Sequence, residues 1–410
     1  MYKVYYFLTY LLSPFSYFFF KYRLLKKKEN YLRFKEKLGI YTIKNENKTL
    51  WFNASSLGEL KSIIPLILFY EKKGKKILVT TSTLSSADFF KKKFQNYRNI
   101  IHQFAPIDIP FIVQKFLKHW KPEVAIFTES ELWPNLIYES KKNSKLILIN
   151  ARLSKKSFSR WKTISSFAQN IFNKFDLILS QSEETKKFIE SFNIKNIKFI
   201  GNLKFCYTFD EIDNDTFDLN NTVDNKWIAM STHDGEEQFI IETIKCIKQK
   251  KILSQCILIP RHVNRIGHII NLIRNNNLTY QLESQRIKDK TLVDFFILDS
   301  YGRAQEAFKK INIVFMGGSI VNHGGQNPLE AAREGCKIYH GPNIQNFEEI
   351  FEFLKQNNVS TLIMNEKEFA NQLINQFKKS DDREIFKKKL NQMSEKILID
   401  HLNCLNALIN

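Results

Sequence analysis

The stretch Val314 to Gly335, VFMGGSIVNHGGQNPLEAAREG, decides how this chain is read. A short apolar run ends in Gly317-Gly318. A second pair, Gly324-Gly325, leads through Asn327 and Pro328 into the helix-like LEAAREG. Strand, glycine-rich turn and helix start follow one another, the order in which an α/β protein presents backbone N–H groups to an anion. A lone glycine pair reads as a tight turn that needs small residues. Two pairs followed by Asn-Pro-x-Glu point instead to a nucleotide site, with Gly317, Gly318 and Ser319 in its turn. Glu330, in the first helical turn, is placed to cap the helix or to accept hydrogen bonds from sugar hydroxyls.

Outward from this stretch the chain alternates short apolar runs with amphipathic segments. Upstream the runs that predict strands are 50–53, 77–82, 124–129, 146–150, 177–181 and 197–201. A polar, Asp/Asn-rich segment, 210–225, reads as a linker, and the rhythm restarts with runs at 227–231, 256–260, 295–299, 313–317, 337–341 and 361–364. This is the βαβ pattern of parallel sheets covered on both faces. Two similar α/β halves imply a central cleft faced by the carboxyl ends of both sets of strands. The expected organisation is an N-terminal hydrophobic segment (1–25), a first domain (26–209), the linker (210–225), a second domain (226–381) and a C-terminal helix (382–410) that packs back on the first.

The length of 410 residues also favours two or three domains. Lys and Arg exceed Asp and Glu by 62 to 42, a net charge of +20 that suggests an anionic partner without choosing among nucleic acid, lipid and phosphorylated substrate. A bias toward Lys at solvated positions would give the same excess. Five scattered cysteines form no CxxC pair, and the eight histidines are dispersed without metal-ligand spacing, so no structural zinc is expected. Residues 4–20, VYYFLTYLLSPFSYFFF, carry no charge and are followed by KYRLLKKK. Seventeen residues are the lower limit for a spanning helix, and Pro14 would kink one. The aromatic content and the basic flank fit a segment that enters or lies along a membrane interface, with the basic side in the cytoplasm; the alternative is a buried first helix.

Polar residues gather at the predicted strand ends. Asn53-Ala-Ser-Ser-Leu-Gly58-Glu59 opens a helix with a single glycine, which argues against a dinucleotide fingerprint. Glu59 either complements the helix dipole or stands at a strand end as a general base. Glu129 and Glu131 flank Ser130 before Trp133 and Pro134; Arg152 follows another strand, and Lys204 lies near the domain junction, where an ammonium can neutralise developing negative charge. In the second half, Ser231 or Thr232 reads as an N-cap with acids behind it, Pro260-Arg261-His262 forms a basic strand exit suited to phosphate, and Tyr301-Gly302-Arg303 follows the next strand.

Taken together, SSLGE (55–59), TESELWPN (128–135), NARLS (150–154), GNLKF (201–205), STHDGEE (231–237), PRH (260–262), MGGS (316–319), GGQNPLE (324–330) and GPNIQNF (341–347) resemble the family of Kdo transferases. These enzymes attach 3-deoxy-D-manno-octulosonic acid (Kdo) from CMP-Kdo to a lipid A precursor. The resemblance covers roughly residues 30–350, in the family's order, and implies a GT-B fold of two Rossmann-like domains. Glu59 then matches the general base, and Glu129 and Lys204 match positions that support the transition state, with Glu131 and Arg152 nearby. CMP contacts fall on Pro260 and Arg261, on Tyr301, Gly302 and Arg303, and on Asn327, Pro328, Leu329 and Glu330. Two departures stand out. Tyr301-Gly302-Arg303 replaces the usual Met-Gly-Glu, so a side-chain role for Arg303 does not carry over, and Gln326 replaces a histidine, so no proton transfer is needed there.

The resemblance further implies an inverting, metal-independent glycosyltransferase of lipopolysaccharide biosynthesis with no cofactor beyond its donor. Its partners would be CMP-Kdo, a phosphorylated lipid A disaccharide and inner-membrane lipids, with no nucleic acid, at the cytoplasmic face of the inner membrane. The alternatives are another GT-B transferase or a nucleotide-sugar epimerase, and a non-catalytic basic protein of the membrane surface.

Overall fold

The computed structural model describes residues 1–207, 223–285, 292–379 and 383–409. The chain divides into two compact units, Met1–Thr208 with Met393–Asn410, and Phe209–Gln392. Most of the expected linker (210–225), its residues 210–222, lies outside the described residues.

The first unit holds β1 (Thr49–Asn53), β2 (Ile77–Thr81), β3 (Ile100–Phe104), β4 (Pro122–Thr128), β5 (Lys145–Ala151), β6 (Leu177–Ser180) and β7 (Ile197–Phe199). They form one parallel sheet in the order β3-β2-β1-β4-β5-β6-β7. The second unit repeats the plan with β8 (Lys226–Thr232), β9 (Gln255–Pro260), β10 (Tyr280–Leu282), β11 (Phe295–Ile297), β12 (Ile313–Met316), β13 (Lys337–His340) and β14 (Ser360–Leu362). Its parallel order is β10-β11-β9-β8-β12-β13-β14. Continuous apolar strands such as Val124–Phe127 and Ile313–Met316 are buried throughout because helices cover both faces. Trp51, Phe116, Trp120 and Phe127 fill one core; Trp227, Phe239, Phe315 and Phe369 fill the other. Each such side chain contributes roughly 1.5–3 kcal/mol by leaving water.

Two strands escape the sequence pattern, β3 and β10, and both lie at sheet edges. An edge strand pairs on one side only and tolerates polar residues. In β3, His102 and Gln103 are buried, and His102 is held by Arg33 and Thr81. The three residues of β10 are only partly covered at Tyr280 and Gln281.

The order of the strands reverses between β1 and β4 in the first unit and between β8 and β12 in the second. At such switch points the loops leaving the carboxyl ends diverge and open a crevice. Glu59 and Glu129 follow β1 and β4; His233 and Gly317 follow β8 and β12.

The N-terminal segment is two helices, Tyr2–Leu11 and Ser13–Leu25, and Pro14 sits in the first turn of the second, where its missing N–H costs nothing. Among the described residues, no helix is long and apolar enough to cross a membrane. The first helix is tied down by polar contacts. Tyr5 donates its hydroxyl to Asp108 at 2.8 Å, Asn135 donates its amide to Thr9 at 2.9 Å, and Tyr2 stacks on Tyr138. Asp108 in turn accepts from the backbone N–H groups of Asn135 and Leu136. One face of the pair stays exposed, including Val4, Phe7, Leu11, Phe15, Phe18 and Phe19.

The C-terminal helix, Arg383–Ile409, belongs to the second unit up to Gln392 and to the first from Met393. Within the first unit Asn406 accepts from Tyr70, the carbonyl of Ile409 from Lys75, and the carbonyl of Ser394 from the Cys206 thiol.

Candidate active site

In the first unit the site begins with a helix cap. Ser56 precedes the helix Leu57–Lys72, and its hydroxyl oxygen accepts from the Glu59 backbone N–H. The Glu59 carboxylate reaches back to accept from the Ser55 N–H at 2.8 Å and from the Ser56 hydroxyl at 2.7 Å. This is a variant of the capping box, in which the carboxylate takes the amide before the cap and the cap hydroxyl, and it fixes the carboxylate's position. Burial pushes the Glu59 carboxyl up, and the neighbouring carboxylates of Glu129 and Glu131 push the same way against the two hydrogen bonds, so that it titrates at about 7. A carboxylate poised near neutrality is matched to taking a proton from a hydroxyl.

Glu129 is held by its backbone. Directly after β4 it adopts the left-handed region at φ 57, as Asn150 does at φ 50 near the end of β5. Such conformations cost of order 1–3 kcal/mol each and recur where a side chain must be aimed. Asn150 accepts through its Oδ1 from the Leu203 N–H, and Asn202 accepts from the Lys204 N–H, both at 2.9 Å. These two bonds pin the turn Leu203–Cys206, which delivers the Lys204 ammonium to Glu129 Oε1 at 2.7 Å. The pair is largely shielded from solvent, so its attraction is screened weakly.

The other predicted residues of this unit sit nearby with distinct contacts. Glu131 accepts from the indole N–H of the half-exposed Trp133, and Ser130 donates to the Arg152 carbonyl. Among the described residues the Arg152 guanidinium has no ion pair, which leaves a cation beside this loop.

In the second unit the structure corrects the reading of the glycine-rich turn. The N–H groups of Gly318, Ser319 and Ile320 do converge on an anion, but the anion is the chain's own Glu236, at 2.6, 3.0 and 2.9 Å. The His233 N–H adds a fourth donor at 2.9 Å. Glu236 is completely buried, so Gly317, Gly318 and Ser319 brace the wall and present no free amide nest to a ligand. Gly317 is needed for close approach, since a Cβ there would lie 2.4 Å from the Ser231 carbonyl oxygen. The cap of the next helix, Glu236–Gln249, is Gly235 and not Ser231 or Thr232. Thr232 instead donates to Glu237, which also receives a two-pronged ion pair from Arg265.

The remaining donor-side candidates fall into two groups. Arg261 is exposed beyond β9, and among the described residues its guanidinium has no ion pair. Tyr301 is exposed, and Gly302 turns at φ 90. Arg303 is committed to Glu283 and Glu306 at 3.0 and 3.1 Å, in keeping with the expectation that the family's side-chain role does not carry over to it. Asn327 is exposed, and its Oδ1 accepts from the Leu329 N–H at the start of the short helix Leu329–Arg333, whose cap position is Pro328. Leu329, Pro328 and Pro260 are buried, so they shape the wall without offering a side chain, whereas Glu330 is only partly covered.

Two features of this face escape the sequence. The role of Glu236 is invisible because the amides it holds lie more than eighty residues downstream. The histidines, dispersed along the chain, converge here: the His233 and His323 rings are 3.9 Å apart and those of His233 and His262 6.0 Å.

Residues 32–207 match the family described as 3-deoxy-D-manno-octulosonic-acid transferase (kdotransferase). A 3-deoxy-D-manno-octulosonic acid transferase of Rickettsia bellii is 33% identical to the chain over 98% of both proteins. The chain belongs to the Kdo transferase family. A probable mitochondrial Kdo transferase of Arabidopsis thaliana is 30% identical over 87% of the chain and 83% of its own length. In fold, the protein is similar to a glycosyltransferase of Rickettsia africae (TM-score 0.57, 12% identity, 89% of this chain and all of the other). It is also similar to the UDP-GlcNAc 2-epimerase of Methanocaldococcus jannaschii (TM-score 0.55, 12% identity, 85% and 99%). The two parallel-sheet units of this Kdo transferase thus have the GT-B plan.

Proposed function

We propose that the protein transfers Kdo from CMP-Kdo to a hydroxyl of a phosphorylated lipid A precursor, inverting the anomeric centre. The observation that carries this reading is the Glu59 carboxylate, fixed by its capping box and titrating at about 7 beside the Glu129–Lys204 pair. Glu59 accepts the proton of the acceptor hydroxyl, whose oxygen bonds to the anomeric carbon of Kdo. The bond from that carbon to the phosphate oxygen breaks, and CMP leaves with the electron pair. Lys204, steadied by Glu129, offsets negative charge in the transition state. In the second unit Arg261 and the Tyr301 loop receive the nucleotide, with Asn327 and Glu330 at the helix start.

The deciding experiment is a donor screen. The protein is incubated with a lipid A precursor and CMP-Kdo or UDP-sugars, and the product is weighed by mass spectrometry. Addition of Kdo from CMP-Kdo alone is expected, and turnover of a UDP-sugar instead would overturn the reading. Activity is expected to persist in EDTA; loss restored by a divalent cation would remove the metal-free part.

The same reading puts the protein at the cytoplasmic face of the inner membrane, and the two N-terminal helices support it. Their exposed Phe and Leu side chains enter the interface, and Lys26, Lys27 and Lys28 meet anionic headgroups. Replacing Phe7 and Phe18 with Asp should lower co-sedimentation with anionic vesicles about tenfold or more, from the loss of two exposed rings that enter the interface. Unchanged binding would return these helices to a purely structural role.

A further inference from the structure

Three of the chain's eight histidines, His233, His262 and His323, come from the loops that follow β8, β9 and β12, at the switch point of the second sheet. The packing of His233 against the other two rings is direct. Gln326 presents its side-chain Nε2 to His233 Nε2 at 3.0 Å. The side-chain amide of Gln326 can donate to a neutral imidazole or, turned over, accept from a protonated one, so this contact serves both states of the ring.

The charges around His233 are accounted for from every side. From the loop after β9 come Arg261, His262 and Arg265, and from the loop after β12 comes His323. On its own segment Asp234 and Glu237 are taken by Arg265, and Glu236 by backbone amides. Among the described residues, Arg261 and the three imidazoles are left without an ion pair here. Burial and these positive neighbours push His233 down to about 4 in the free protein. An arriving anion reverses that balance, because a negative charge against an imidazole favours its protonated form.

We propose that His233, His262 and His323, with Arg261, form a proton-linked receptor for a phosphodiester anion, one that takes up a proton as the anion binds. This rests on the donor reading above, in which the diester is that of CMP-Kdo, and it adds pH control of donor affinity. Burial and the positive neighbours keep His233 neutral until the anion arrives.

The probe is the methyl phosphodiester of CMP, whose own charge is constant over the range used. Binding to the full chain is measured by calorimetry in buffers of differing ionisation enthalpy. Proton uptake is expected, with affinity about tenfold higher near pH 5.5 than near pH 7.5 if bound His233 returns to an ordinary histidine value. His233→Asn and His323→Asn should abolish the uptake. In the unaltered protein, histidine side-chain NMR should show one imidazole titrating higher with the diester present, which needs no variant to fold. Binding with no proton uptake and no such shift overturns this inference and leaves the donor reading intact. No binding of the diester or of CMP at any of these pH values overturns both.

Discussion

Glu59→Ala should lower Kdo transfer roughly a thousandfold, the size expected for loss of a positioned general base, while CMP binding stays unchanged. The separation follows from the fold, since Glu59 lies in the first unit and the nucleotide candidates in the second. A rate within tenfold of the parent would remove Glu59 from the chemistry. The pH profile supplies an independent check. A base must be ionised to accept a proton, so transfer should rise with pH through about 7, where Glu59 titrates. The same shift has a stability consequence of opposite sign. The folded value lies above the ordinary 4.5, so the fold favours the neutral carboxyl. The cost of ionising it grows between pH 4.5 and about 7 and is complete above that. Glu59→Gln keeps the capping box and removes the charge, so at pH 8 it should stabilise the fold by of order 2 kcal/mol while transfer is lost. Denaturant titrations at pH 5 and pH 8 separate the two effects.

Glu236→Ala should cost the fold about 4 kcal/mol or more. Its carboxylate is fully buried and accepts four backbone N–H groups, two on each oxygen. Removing it leaves those donors without a partner, at roughly 1–3 kcal/mol each before relaxation. Glu236→Gln should rescue little, because whichever way the amide turns, its NH₂ faces two N–H groups. Urea unfolding followed by circular dichroism measures the loss. A change below about 1 kcal/mol would mean that water reaches the turn and replaces the carboxylate.

What the sequence reveals and what it hides divide along physical lines. Central strands such as β4 and β12 are buried on both faces and therefore spell unbroken apolar runs. The edge strands β3 and β10 need no such run, so no apolar pattern marks them. The capping box at Ser56 and Glu59 is local, so residue type and spacing reveal it. The glycine-rich turn at Gly318 suggests a cradle for a nucleotide, whereas its occupant is Glu236, which arrives from the end of another strand. The grouping of His233, His262 and His323 is likewise a product of sheet order, which no local pattern encodes. Arg303 shows a substitution absorbed by its neighbours, Glu283 and Glu306, which only coordinates can reveal.

The helix Arg383–Ile409 has a further consequence for how the molecule is made. The first unit contains residues 393–410, which the ribosome adds only after the whole second unit has been synthesised. Until then Gly201, which packs against Ile397, and Tyr70, which bonds to Asn406, face no partner. Translation order and folding order therefore differ: the domain that begins first is closed last.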